Sequence, residues 1–171
     1  LDGAARIREI VAELDGLFPD ARRGLPNELF YFASRLTPLV NVDLLIRNDR
    51  GEILLTWRHD QFYKGWHIPG GIIRFKETAA ERIKAVALSE LGAAVEADPT
   101  PREVHEKLNC ERDIRGHFIS LLYEARLTSA LDASRQCHDV AHPANGQWAW
   151  HGPCPDNLLP NHASYRHLFL S

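Results

Sequence analysis

The sequence predicts an α/β layered sandwich preceded by an amphipathic N-terminal helix. Runs rich in β-branched and aliphatic residues recur along the chain, and one long helical segment, Thr78 to Leu91, lies among them. A length of 171 residues suits one well-cored domain better than two. With 44% hydrophobic and 25% charged residues, the composition is that of an ordinary globular chain.

Taken in order, residues 4–18 place Ile7, Ile10, Val11, Leu14 and Leu17 at helical spacing. Pro19 and the stretch Arg22-Arg23-Gly24-Leu25-Pro26 end that pattern, dividing the chain into a helix with its linker, 1–25, and a main domain, 26–171. Pro38 to Arg47 (PLVNVDLLIR) reads as a buried strand. Asn48-Asp49-Arg50-Gly51 is a turn, and Glu52 to Trp57 (EILLTW) returns, so the two strands are expected to form a hairpin. Gly65 to Ile73 is a short apolar stretch broken by Pro69-Gly70-Gly71. The helix Thr78 to Leu91 stops at Gly92, the usual place for a left-handed cap. Strands follow at Val104 to Asn109 and at His117 to Leu127. A polar loop, Asp132 to Gly146, leads into a short strand, Gln147 to His151, and a helix over Ala163 to Leu170 closes the chain.

Several partners are excluded by bulk properties. A net charge of −3 offers no basic surface for nucleic acid. No apolar run approaches the roughly 20 residues that cross a bilayer. The first residues lack the basic-then-apolar pattern of a secretory signal, and Cys110, Cys137 and Cys154 form no paired spacing. Reduced thiols and a cytoplasmic location are therefore expected. Cys137, His138 and His142 lie in one loop without a second ligand pair, which argues against a zinc site.

The chemistry gathers between Pro69 and Gly92. A glycine-rich loop lets backbone carbonyls approach a cation, and a helix starting there carries carboxylates toward the same point. Hard Mg²⁺ prefers such oxygens and keeps several waters besides. The segment from Gly71 to Ala93 resembles the Nudix box: Gly, five residues, Glu, seven residues, then Arg-Glu-aliphatic-any-Glu-Glu-any-Gly-aliphatic. Gly71, Glu77, Ala87, Glu90, Gly92 and Ala93 fall in register, whereas Ala85, Val86 and Ser89 replace the Arg and two of the Glu residues. On helical spacing Val86 and Glu90 share a face, leaving Glu90 as the only carboxylate on the metal side. Glu77 and Glu81 read as surface or structural charges. The resemblance implies a Nudix-type α/β/α sandwich with a mixed sheet, and a hydrolase using Mg²⁺ or, in its place, Mn²⁺.

Across Asn27 to Phe169 the order and spacing of further segments are similar to the GDP-mannose mannosyl hydrolase branch. These are Thr37 to Ile46, Leu54 to Arg58, His117 to Tyr123 and Asn161 to Phe169. That resemblance implies a metal held by the Gly70 carbonyl and Glu90. It implies substrate contacts at Phe30, Arg58 and Asp43, with Arg58 and Asp43 acting at the leaving diphosphate. A loop histidine would be the general base, His142 first and His138 second. The implied substrate is a nucleoside diphosphate sugar, GDP-mannose or GDP-glucose, cleaved to GDP and free sugar by a homodimer. Two alternatives stand beside it: a pyrophosphohydrolase in which water attacks phosphorus, and a silent nucleotide-sugar-binding domain. With Ala85 in place of the box Arg, the basic residues that could replace it are Arg74, Arg112 and Arg115.

Overall fold

The computed structural model describes residues 2–169; Leu1, Leu170 and Ser171 lie outside it. In chain order, α1 (Gly3–Leu17), a 3₁₀ turn (Ala21–Arg23) and α2 (Asn27–Ala33) precede β1 (Leu39–Ile46), β2 (Ile53–His59), β3 (Lys64–His67) and β4 (Gly70–Ile72). Then follow α3 (Ala79–Val86), a π-helical turn (Ala87–Leu91), β5 (Val95–Ala97), β6 (Glu103–Leu108), β7 (His117–Leu127), β8 (Trp148–His151) and a 3₁₀ helix, Pro160–Leu168. This mixed α/β arrangement matches the predicted fold class. No described helix is long and apolar enough to cross a membrane.

β1 organises the fold because its two faces feed two cores. Val42, Leu44 and Ile46 pack with Ile83, Val86 and Leu91 under the helix, while Leu45 packs in a second core with Ile53, Leu55, Trp66 and Tyr165. β7 lies parallel to β1, β4 antiparallel on its other edge, and β5 and β6 both pair with β7. β2 instead sits between β3 and β8 in a second, antiparallel sheet. The expected hairpin of β1 with β2 therefore does not form; the strands touch only at an Arg47–Ile53 bridge. A strand has two edges, and β4 and β7 occupy both edges of β1.

Other expectations are refined. Every residue of α1 stays out of the core, and Ile7, Ile10, Val11 and Leu17 are exposed. The sequence reading has no counterpart for α2 and β5, both short. The C-terminal helix expected over Ala163 to Leu170 is a 3₁₀ helix that begins earlier; Leu170 lies outside the described residues. Its buried residues, His162, Tyr165 and Leu168, recur every third position, the period of a 3₁₀ helix and not of an α-helix.

α3 opens with a reciprocal cap, in which the Thr78 hydroxyl accepts from Glu81 N–H and the Glu81 carboxylate accepts from Thr78 N–H. Glu77 is bound by Arg82 at 2.7 Å, so both carboxylates are structural, as expected. The α geometry gives way to the π turn before Gly92 caps the segment at φ 61°. Val86 is consequently a core residue packed beneath Gly71, while Glu90 turns into the cleft between the sheets. The shared face expected of Val86 and Glu90 is replaced by that divergence, and Ser89 is the helix neighbour that lines the cleft.

Candidate active site

A cleft of about 900 Å³ opens beside Glu90, and strands β1, β2, β3, β4, β6 and β7 contribute to its lining. Glu90 Oε2 accepts from the Thr56 hydroxyl at 2.8 Å, and Thr56 Oγ1 lies 3.0 Å from His67 Nε2. His67 Nδ1 faces the Ile68 carbonyl at 2.9 Å and so carries a proton. The single Thr56 proton goes either to Glu90 or to His67; in the second arrangement Glu90 Oε2 is open to a cation.

The donor set fits one hard cation. Gly70 faces Asp43 across β4 and β1 at a position flanked by the Leu44 N–H to Pro69 carbonyl and Ile73 N–H to Val40 carbonyl bonds, 2.8 and 2.9 Å. Gly70's own N–H and carbonyl therefore point away from β1. The N–H faces Glu90 Oε1 at 3.4 Å, and the carbonyl is not consumed by the ladder to β1. One carboxylate and one carbonyl, both oxygen donors, suit Mg²⁺ with most of its waters retained. No three His, Cys, Asp or Glu side chains among the described residues gather into a larger metal group. Position 70 also has no room for a side chain, since a Cβ would lie 2.3 Å from Asp43 Oδ1.

Asp43 is buried at the cleft floor with its oxygens engaged. Oδ1 accepts from Asn41 at 2.8 Å, and Oδ2 accepts from the Tyr165 hydroxyl at 2.6 Å and from Lys107 Nζ at 3.2 Å. Ser120 in turn donates to Asn41 Oδ1 at 2.8 Å. Lys107 sits over the Tyr165 ring, 4.1 Å from its centroid. Burial pulls the Lys107 pKa down against the raising influence of Asp43, and it pushes the Tyr165 hydroxyl far up. Tyr165 is thus a fixed proton donor to Asp43. Sequence reasoning missed Lys107 and Tyr165.

Arg58 reaches the cleft from the end of β2, where Asp60 holds its Nε at 2.6 Å and Tyr63 lies under its guanidinium at 5.2 Å. Arg115 lines the same cleft, over the Phe30, Phe62 and Tyr63 rings at 5.2–5.6 Å. Phe30, expected to touch substrate, instead supports Arg115 from behind and does not line the cleft.

His138 and His142 are not brought to the cleft. Both are exposed, and His142 pairs with Asp139 at 2.9 Å with 85% of its side chain in solvent. The buried Cys137 explains this: its N–H donates to the Trp148 carbonyl at 2.9 Å, which pins the loop there and sends the following residues outward. The residues of this segment that line the cleft are Ser134 and Arg135 at its start and Ala144 to Gln147 at its end.

His162 is the histidine that sequence reasoning overlooked. It is buried beside Tyr165 and His67, and its Nδ1 accepts from Ile68 N–H at 3.4 Å. Burial first, then the charges of Lys107 and Arg58 and the His67 ring, holds its pKa well below the ordinary value. It stays neutral in the fold while the unfolded chain protonates near pH 6.5. Stability should be unaffected above that pH and fall on acidification by about 1.4 kcal/mol per pH unit from this group alone. Urea melts of wild type and His162→Gln between pH 5 and 8 test this; parallel profiles would remove His162 as the cause.

A family model for the NUDIX domain matches residues 37–151. The low-salt glycan biosynthesis protein Agl8 of Haloferax volcanii is 32% identical over 94 residues, 53% of this chain and 60% of that protein. The chain thus spans about three-fifths of the length of that curated relative. Among solved structures, a MutT NUDIX hydrolase from Burkholderia pseudomallei superposes with a TM-score of 0.58 at 24% identity, over 77% of this chain and 96% of that one. A UDP-X diphosphatase superposes with a TM-score of 0.55 at 16% identity, over 96% of this chain and 75% of that one. At those identities the likeness to the solved structures is one of fold.

Proposed function

This chain belongs to the NUDIX domain family of hydrolases, and from that premise we propose that it cleaves a GDP-sugar, GDP-mannose or GDP-glucose, to GDP and free sugar with Mg²⁺. The observation that carries the reading is the balance of charge in the cleft. One carboxylate, Glu90, is free for a metal, and four cations, Arg58, Lys107, Arg115 and Arg135, line the remaining space. A relative named for glycan biosynthesis fits a sugar-bearing substrate.

In this proposal Glu90 and the Gly70 carbonyl hold the cation, which supplies charge neutralisation at the diphosphate. Water attacks the anomeric carbon and sheds its proton to solvent, the bond from that carbon to the diphosphate oxygen breaks, and GDP leaves with the electron pair. Sugar hydrolysis ordinarily needs a protonated acid on the leaving oxygen. A diphosphate leaves without one when fixed cations meet its developing charge, and Arg58 is placed for that at the cleft wall. Asp43 acts at one remove, by holding Lys107 at the floor, with Tyr165 buried behind it. His138 and His142 are not used, because they stand outside the cleft.

The test is a panel of nucleotide sugars incubated with the protein and Mg²⁺ in ¹⁸O-labelled water. The expected products are GDP without label and a sugar carrying it. A mononucleotide and a labelled phosphate would mean attack at phosphorus and overturn the reading, as would absence of turnover across the panel.

A further inference from the structure

Three buried side-chain polar atoms lack a hydrogen-bond partner among the described residues, and two of them, Arg115 Nε and Asn161 Oδ1, belong to residues that line one throat. This throat is the boundary between the Glu90 cleft and a second cleft of about 700 Å³, since both residues line both spaces. Buried polar groups are nearly always paired, so an unpaired donor and an unpaired acceptor bordering the same two clefts describe the ligand that would complete them.

Arg115 is held there at some cost. Its backbone is left-handed, φ 53°, in a residue with a side chain, and its N–H donates to the Ser34 hydroxyl at 3.1 Å. Arg58 and Lys107 have carboxylate partners in Asp60 and Asp43, whereas Arg115 forms no such pair among the described residues. Aromatic rings cover its guanidinium, so its orientation is fixed while its charge is left uncompensated. Burial, with Arg58 nearby, lowers its pKa, and a bound anion would relieve both effects. The other two candidates to replace the missing box Arg are committed elsewhere. Arg74 donates to the Arg22 carbonyl at 3.2 Å outside both clefts, and Arg112 donates to the Phe62 carbonyl at 2.8 Å and borders the second cleft alone.

We propose that this throat is a glycosyl-phosphate subsite. A phosphate oxygen accepts from Arg115 Nε, and a hydroxyl of the attached sugar donates to Asn161 Oδ1. Arg115 thereby makes the diphosphate contact for which position 85 has only alanine. The proposal rests on reading the larger cleft as a nucleotide-sugar site, and its test needs no turnover.

The experiment is calorimetric titration of mannose 1-phosphate and, separately, inorganic phosphate into the full chain. Arg115→Gln should weaken both by at least about tenfold, the usual worth of a charged hydrogen bond. Asn161→Leu should weaken mannose 1-phosphate alone, and Arg74→Gln neither. Arg115→Lys, which keeps charge but loses the Nε donor, should also weaken both and serves if the Gln variant melts early. Wild-type affinity for mannose 1-phosphate in Arg115→Gln or Arg115→Lys overturns the subsite. Equal loss of inorganic phosphate binding in Asn161→Leu overturns the hydroxyl assignment. If the probes behave as expected but no GDP-sugar is hydrolysed, the proposed function fails and the subsite stands. If GDP is released at an unchanged kcat/KM in Arg115→Gln, the reverse holds.

Discussion

Glu90→Gln is expected to lower Mg²⁺-dependent turnover by about 10³-fold, because the loss of Lewis-acid stabilisation is worth several kcal/mol and each 1.4 kcal/mol is tenfold. Glu90 is the carboxylate that the π turn delivers to Gly70, and among the described residues no three acids, histidines or cysteines gather into a metal group that could replace it. Asp43 is close in space, but its oxygens are taken by Asn41, Tyr165 and Lys107. The substitution preserves shape, and a Gln oxygen still accepts from Thr56, so the fold should survive. Equal melting temperatures with lost turnover, and a loss of Mg²⁺ binding by calorimetry, would identify Glu90 as a ligand. Wild-type kcat at saturating Mg²⁺ would sink the assignment.

Much of the frame was legible in the sequence because burial and periodicity agree there. Val42, Leu44 and Ile46 alternate with Asp43 and Leu45 as a strand between two cores requires, and Gly92 marks the helix end by needing positive φ. The placement of Glu90 beside Gly70 and Gly71 in one cleft was legible as well, through the spacing that ties them together. The strand Glu103–Leu108 inverts the usual rule, and that is why Lys107 was missed. Val104 and Leu108 are exposed at 61% and 64%, while Glu103, His105 and Lys107 face inward. A reader applying apolar-in, polar-out places Lys107 in solvent. The π turn and the 3₁₀ period of His162, Tyr165 and Leu168 were invisible for a related reason. Both replace α-helical spacing, and tertiary packing, not local propensity, selects them. The loop histidines misled because the chain direction after Cys137 depends on one backbone bond to Trp148.

Asp43→Ala is expected to destabilise the fold by about 3–5 kcal/mol, the cost of leaving one member of a buried ion pair alone. Lys107 Nζ lies in a pocket where its side chain is 10% exposed, and among the described residues Asp43 supplies its carboxylate, at 3.2 Å. The same oxygen receives the Tyr165 hydroxyl, so the substitution leaves a buried ammonium and a buried hydroxyl without their acceptor. Burial already lowers the Lys107 pKa, and removing Asp43 removes the influence that opposes it. Lys107 should then titrate closer to neutrality, and the stability deficit should shrink as pH rises and the ammonium sheds its proton. Replacing both partners, Asp43→Asn with Lys107→Met, should cost less than the two single changes summed, since no lone charge is left behind. Urea denaturation of wild type, Asp43→Ala, Asp43→Asn, Lys107→Met and the double variant at pH 7 and pH 9 measures every term. A loss below about 1 kcal/mol in Asp43→Ala would mean that water reaches Lys107 and solvates it. The floor of the cleft would then be open, and Asp43 would be free to meet substrate directly instead of holding Lys107 there.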